Sequence, residues 1–218
     1  MMQINVSSNI KEVTRGLSAV QRKQIPFAAS QALNDVAFEA GPKGKVLAER
    51  ADKTFKGGAT RFTQRGFKVK KATKRDLTAE VFVDKNQAQY LRFQIYGGTR
   101  FPLHKALMIS TDKTRLNRFG NITPATYKQL INNKTKYFKG VPKGKSGQNY
   151  EGIWERYGRS KRYPGGQRIR MVARYVDKAQ YRPLFPFAET TQGVVFSQQS
   201  GIAVRFRKRL AQALRTAR

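Results

Sequence analysis

Polar and apolar positions are patterned most cleanly between Leu77 and Pro102, LTAEVFVDKNQAQYLRFQIYGGTRFP. Leu77, Ala79, Val81 and Val83 alternate with Thr78, Glu80 and Phe82, a period of two that predicts a half-buried strand. Asp84 and Asn86 then offer N-cap oxygens, and Ala88, Leu91 and Ile95 recur at spacings of three and four, as one face of a helix requires. Gly97-Gly98 ends that helix, because glycine takes the left-handed conformation without a Cβ clash. Just upstream, Phe67-Lys-Val-Lys70 alternates as well and is expected to pair with the 77–83 strand through a turn at Lys74–Asp76.

The same test, applied along the chain, gives the remaining elements. Met2 to Val6 reads as a short strand, followed by cap candidates Ser7, Ser8 and Asn9 and a helical stripe of Ile10, Val13, Leu17 and Val20. Pro26 fits the first turn of a second helix, with Phe27, Ala28, Ala32, Leu33, Val36, Ala37 and Ala40 on one side. Val46, Leu47 and Ala51 mark a shorter helix, and Thr123-Pro124 opens another that carries Tyr127, Leu130 and Ile131. Residues 103–125 otherwise read as a polar loop with one apolar patch, Ala106 to Ile109. From Tyr137 the period returns to two in Tyr137–Val141, Gly152–Tyr157 and Arg168–Val176, joined by basic loops rich in Gly, Ser and Pro: an antiparallel meander. Beyond Pro183 and Pro186, the series Phe187, Thr191, Val194, Val195, Ile202, Phe206, Leu210 and Leu214 predicts a long helix. The expected fold is α+β: N-terminal helices, a mainly antiparallel sheet with basic hairpin loops, and a long C-terminal helix packed on the sheet.

Composition changes this picture mainly through charge. The 218 residues contain 44 Lys and Arg against 13 Asp and Glu, a formal net charge of +31. That balance does not bear on fold; it repels copies of the chain and attracts polyanions such as nucleic acid, acidic membranes or an acidic protein face. Cysteine is absent, which excludes disulfides, thiol nucleophiles and Cys-ligated metal centres. The N-terminal MMQINVSSNIKEV has no signal-peptide core, and no apolar run approaches the ~20 residues of a membrane span, so the expectation is a cytoplasmic protein or one packed into an assembly made there.

Catalytic chemistry finds no foothold. Gly140-Val-Pro-Lys-Gly144-Lys145-Ser146 has three residues between its glycines where a phosphate-binding loop needs four, one of them proline, and reads as a basic hairpin tip. His104, the sole histidine, has no nucleophile near it in sequence. Glu151 and Glu155 share a strand face but lie roughly 13 Å apart, too far to share a proton. Asp76, Glu80 and Asp84 stand among lysines and arginines as solvated ion pairs, and no acidic or histidine cluster has metal-ligand spacing. The expectation is a protein with no catalytic residue, no metal and no cofactor. Candidate contacts to nucleic acid or an acidic partner are Lys143, Lys145, Arg156, Arg159, Lys161, Arg162, Arg168 and Arg170, interleaved with Tyr157, Tyr163 and Tyr175. Two readings stand side by side. Arginines bind phosphates while tyrosines stack on unpaired bases, or the tyrosines are sheet residues and the arginines are merely solvated. Any such binding is directed at the backbone and sensitive to salt.

One resemblance bears on this. Ile4 to Ala40, with Ile25-Pro-Phe-Ala28, Ala32-Leu-Asn34 and Ala37, resembles the start of the prophage minor tail protein Z family, the lambda-type tail-completion proteins. The stretches KKATKRDLTAEVFV and QAQYLRFQIYGGTRFP are also similar to that family, most tellingly at Tyr90-Leu91 and Gly97-Gly98-Thr99-Arg100. The resemblance covers the N-terminal half well and the C-terminal half thinly, and leaves 134–170 unmatched. It implies one tail-completion-like domain over 1–218, helical through residue 55, mainly β over 56–182 with a short helix at 86–96, and a C-terminal helix over 187–217. It further implies a structural virion protein of the tail or neck that joins the tail to the portal–adaptor complex around the DNA exit path. Its partners would be portal or adaptor, tail tube or tail terminator, genomic DNA, and copies of itself in a hexameric or dodecameric ring. Subunit contacts are expected at Tyr96, Thr99, Arg100, Phe101, Arg205 and Arg209, where the double glycine turns Arg100 and Phe101 outward. The alternative is a free basic nucleic-acid-binding protein that uses its hairpin loops on phosphate backbones.

Overall fold

The alanine spacing of the N-terminal half produces a helix, α1 (Ala19–Ala40), whose buried side is Ala28, Ala29, Ala32, Leu33, Val36, Ala37 and Ala40. These positions come from a computed structural model that describes residues 4–6, 19–41, 46–142, 150–159 and 166–216. Most of the expected Ile10–Val20 helix lies outside the described residues. Pro26 lies inside α1 and not in its first turn. Its ring removes one i→i−4 backbone donor from the helix, a local cost offset by the buried face that follows it.

Packing divides the chain into two compact units, residues 1–95 with 183–218, and residues 96–182. In the first, β1 (Ile4–Val6), β2 (Phe67–Lys70) and β3 (Ala79–Val83) form an antiparallel sheet in the order β1-β3-β2. The strand at 79–83 alternates buried and half-buried as its sequence predicts. Two short helices, α2 (Val46–Thr54) and α3 (Arg61–Gln64), precede it, and α4 (Lys85–Tyr96) follows it directly. Leu91 is buried as expected, but Gln87 and Phe93 are buried with it, while Ala88 and Ile95 are only partly covered. Gly97 and Gly98 end α4 at φ 72° and 105°, conformations that glycine alone adopts cheaply.

The long C-terminal helix, α6 (Phe187–Thr216), runs antiparallel to α1. With α1 it closes the core of this unit over the sheet, where Phe67, Phe185 and Phe187 meet with ring centroids 5.6 to 6.4 Å apart. The chain is therefore α+β. Arg209 grips both oxygens of Asp35 (3.0 and 2.9 Å), and Arg205 bonds Glu39 at 2.8 Å. Both arginines, expected at a subunit interface, are used within the chain.

The second unit holds a four-stranded antiparallel sheet in the order β5-β8-β7-β6: β5 (Leu107–Ser110), β6 (Tyr137–Gly140), β7 (Gly152–Arg159) and β8 (Gln167–Val176). The β6-β7-β8 meander matches the sequence pattern, whereas β5 reads in sequence as a patch in a loop. A separate two-stranded pair, β4 (Gly98–Arg100) with β9 (Ala179–Tyr181), has no counterpart among the expected elements. Helix α5 (Pro124–Asn132) begins as expected, with Pro124 in its first turn and the Thr123 hydroxyl accepting from the Thr126 N–H at 3.1 Å. Only Leu130 of its predicted stripe is buried, against Ile153, Val172 and Ala173, while Tyr127 and Ile131 are exposed. A register shift between Ile153 and Trp154 leaves Val172 as an extra residue in β8, and hydroxyls of the loop after β5 saturate the local carbonyls: Thr111 donates to Met171 at 2.9 Å and Thr114 to Val172.

Candidate nucleic-acid interface

Residues directly opposed across antiparallel strands share a face, so the register fixes which side chains meet. Tyr137 of β6, Glu155 of β7 and Arg170 of β8 lie in one row across the sheet, and Tyr157 and Arg168 stand one step further along the same face. Glu155 is the unexpected member: it is buried, 6 % exposed, yet ionisable. One of its oxygens accepts from Arg170 Nε at 2.6 Å, and the other lies 3.1 Å from Lys136 Nζ. Burial, the largest single influence, pushes its carboxyl up. The hydrogen bonds and charges of Arg170 and Lys136 together outweigh burial and hold the group below the usual carboxylate range. The hydrogen bond to Glu155 is likewise the first cause of the raised values of Arg170 and Lys136.

Around this anchor the cations sit on rings. The Arg168 and Arg170 guanidiniums lie 5.1 and 5.0 Å from the Tyr157 ring centroid, and Lys136 lies 5.6 Å from that of Tyr137. Lys139 covers Tyr175 at 4.8 Å; on the opposite face Arg174, paired with Gly152, covers Tyr150, just before β7, at 3.8 Å. The tyrosines of this sheet are thus occupied by the chain's own cations, which weakens the expectation that they offer stacking platforms to bases.

The candidate cations among the described residues do not share one face. Lys143, Lys145, Lys161 and Arg162 lie outside the described residues. Arg168 and Arg170 come together as described. Arg156, one residue on from Glu155, projects from the opposite face. There its Nη1 donates to the carbonyls of Lys134, Thr135 and Tyr137 at 2.9 to 3.3 Å, and its guanidinium lies over Phe138. These bonds hold it against its own unit. Arg159 is exposed at the end of β7, opposite Gln167. Of the expected subunit contacts in this unit, Tyr96 and Phe101 are 56 % and 66 % exposed, while Thr99 and Arg100 are half-buried in the β4–β9 pair. Leu103, not foreseen, is 89 % exposed beside them in sequence.

Sequence reasoning also missed Lys136 and the anchoring role of Glu155. The signal was available in the alternation of 153, 155 and 157 on one strand face, but the partner strands' register was not. Elsewhere, a cleft of about 550 Å³ between α2 and α3 mixes Glu49 and Asp52 with Lys53, Arg61 and Arg65, and Asp52 already accepts from the Ala59 N–H at 2.9 Å. Among the described residues no three His, Asp or Glu side chains come together as a metal site, and no helix is long and apolar enough to cross a membrane. Comparison with family models, curated proteins and solved structures returned no match.

Proposed function

We propose that the chain is a structural virion protein of a tailed bacteriophage, a tail-completion or neck component that joins the tail to the portal–adaptor complex around the DNA exit path. The order of the family-like segments supports this, from Ile25-Pro-Phe-Ala28 through Gly97-Gly98-Thr99-Arg100. The observation that carries it is the distribution of charge. Residues 96–182 hold 20 Lys and Arg against 4 Asp and Glu, two-fifths of the chain with half of its net charge. A surface so poor in carboxylates favours a polyanionic neighbour over its own copies, and the exit path supplies one in the genome. On this reading the protein works without catalytic residues or cofactor. It is assembled in the host cytoplasm into the virion and contacts other tail or neck proteins, copies of itself in a ring, and DNA in the channel. Mass spectrometry of purified particles tests it: the chain is expected in fixed copy number, and its absence from intact particles would overturn the proposal.

A second reading, a free nucleic-acid-binding protein, is favoured by the half-exposed cations around Glu155, which need no neighbouring virion protein to be in place. Absence from particles together with a steep salt dependence of binding would decide in its favour.

A further inference from the structure

We infer that the face bearing Lys136, Arg170 and Arg168 docks on the phosphate backbone of duplex DNA, with Glu155 as the residue that positions its cations. The inference deepens the proposed role and rests on that reading for the source of the DNA.

Rigid placement separates this face from a generally basic surface. Long cationic side chains lose considerable rotamer freedom when they bind an anion. Here Arg170 and Lys136 are already held by the two oxygens of a single buried carboxylate, while their own side chains remain 41 % and 51 % exposed. One buried negative charge thus organises cations whose remaining donors reach solvent. Arg168, exposed, extends the row two residues along β8 and leans on the same Tyr157 ring.

The ligand class follows from what this face withholds. Unpaired bases bind by stacking on open aromatic rings. On this face Tyr137, Tyr157 and Tyr175 each have a cation over the ring. A duplex hides its bases and offers phosphates, which guanidinium donors meet well. An acidic protein surface would also meet those donors, but its carboxylates seldom form the dense continuous array of a duplex, about one charge per 1.7 Å of axis.

The test uses the full chain and fluorescence anisotropy with three probes: a duplex of arbitrary sequence, a single strand of the same length, and poly-glutamate, each over a range of salt. The duplex is expected to bind best. Arg168→Gln is expected to weaken duplex binding several-fold and to reduce the salt slope by about one. Arg50→Gln, an equal loss of exposed charge on α2, is expected to leave the slope in place. Glu155→Gln makes the sharper demand, because it raises the net charge by one. Bare attraction then predicts tighter binding, whereas the positioning role predicts weaker binding that retains its dependence on Arg168. Tightening by Glu155→Gln, equal effects of Arg168→Gln and Arg50→Gln, a preference for the single strand, or poly-glutamate binding that depends on Arg168 would each overturn the inference. Since Arg168 is exposed, its variant decides between the outcomes even if Glu155→Gln fails to fold. The two proposals fail separately: a chain present in particles but indifferent to duplex sinks only this one, and a duplex-binding chain absent from particles sinks only the virion role.

Discussion

Asn34 lies on the buried side of α1 and closes two hydrogen bonds with the backbone of one residue: its amide donates to the Ala72 carbonyl at 3.1 Å, and its oxygen accepts from the Ala72 N–H at 2.7 Å. The side chain stands in for a strand edge and satisfies both groups of the residue it faces. Asn34→Ala strands both of them in a buried setting, so a loss of about 1–3 kcal/mol is expected in denaturant unfolding. Asn34→Asp keeps the shape but sets an acceptor against the Ala72 carbonyl, and it is expected to cost at least as much near neutral pH. Glu155 makes a different demand, set by pH. Its carboxyl is depressed in the folded chain relative to an ordinary value of 4.5, so its stabilisation is complete above that value and drains away as pH falls through it toward the folded one. Melting temperatures of the native chain and Glu155→Gln, followed from neutral to acid pH, are expected to converge as the pH drops. A gap that stays constant would show that Glu155 acts through packing alone.

At the scale of elements, the β7–β8 pair depends on one close approach. A Cβ added at Gly152 would strike the Ala173 carbonyl oxygen, which belongs to the ladder and cannot rotate away as a side chain can. Gly152→Ala is therefore expected to cost about 3 kcal/mol, the upper end for overpacking. Trp154, the chain's single tryptophan, is 7 % exposed two residues along, with its ring N–H bonded to the Gly140 carbonyl at 3.0 Å, so its emission reports the change as a red shift. The meander is readable in sequence because β7 and β8 are long and its strands keep a period of two. β4 and β9 are not: three residues cannot display a period, and their pairing joins positions about eighty residues apart. Leu107-Met-Ile-Ser110 is an apolar run without alternation, and only its partner β8 makes it a strand. Helix α1 passes through Pro26 because local propensity yields to a face of seven buried residues. The candidate site is legible in the same uneven way. Arg168 and Arg170 declare themselves by charge and spacing, but the anchoring of Arg170 by Glu155, and the engagement of Arg156, Arg205 and Arg209 with neighbours in the same chain, depend on register and helix pairing, which no single segment encodes.

For the whole molecule, the balance of charge sets how stability responds to salt. Ion pairs such as Arg209–Asp35 and Arg205–Glu39 are partly solvated, and pairs of that kind contribute about 0–1 kcal/mol each, a part of which salt removes. Against them stands the self-repulsion of a net charge of +31, which disfavours the compact state and is screened by the same salt. The carboxylates are too few to reverse the sign, least of all in residues 96–182, where 4 of them face 20 cations. Adding sodium chloride from low to near-physiological ionic strength is therefore expected to raise the melting temperature, with the Trp154 signal of the 96–182 unit gaining most. On the proposed docking role, polyanions are expected to do the same at far lower concentration, by binding the folded chain and not merely screening it. On that role the two effects oppose each other when combined, because salt weakens polyanion binding while it screens the protein. A melting temperature that rises with duplex at low salt, falls as salt displaces the duplex, and then rises again by screening is the expected profile. A steady fall with salt in the absence of polyanion would mean that the ion pairs, and not the repulsion, govern the stability of this chain.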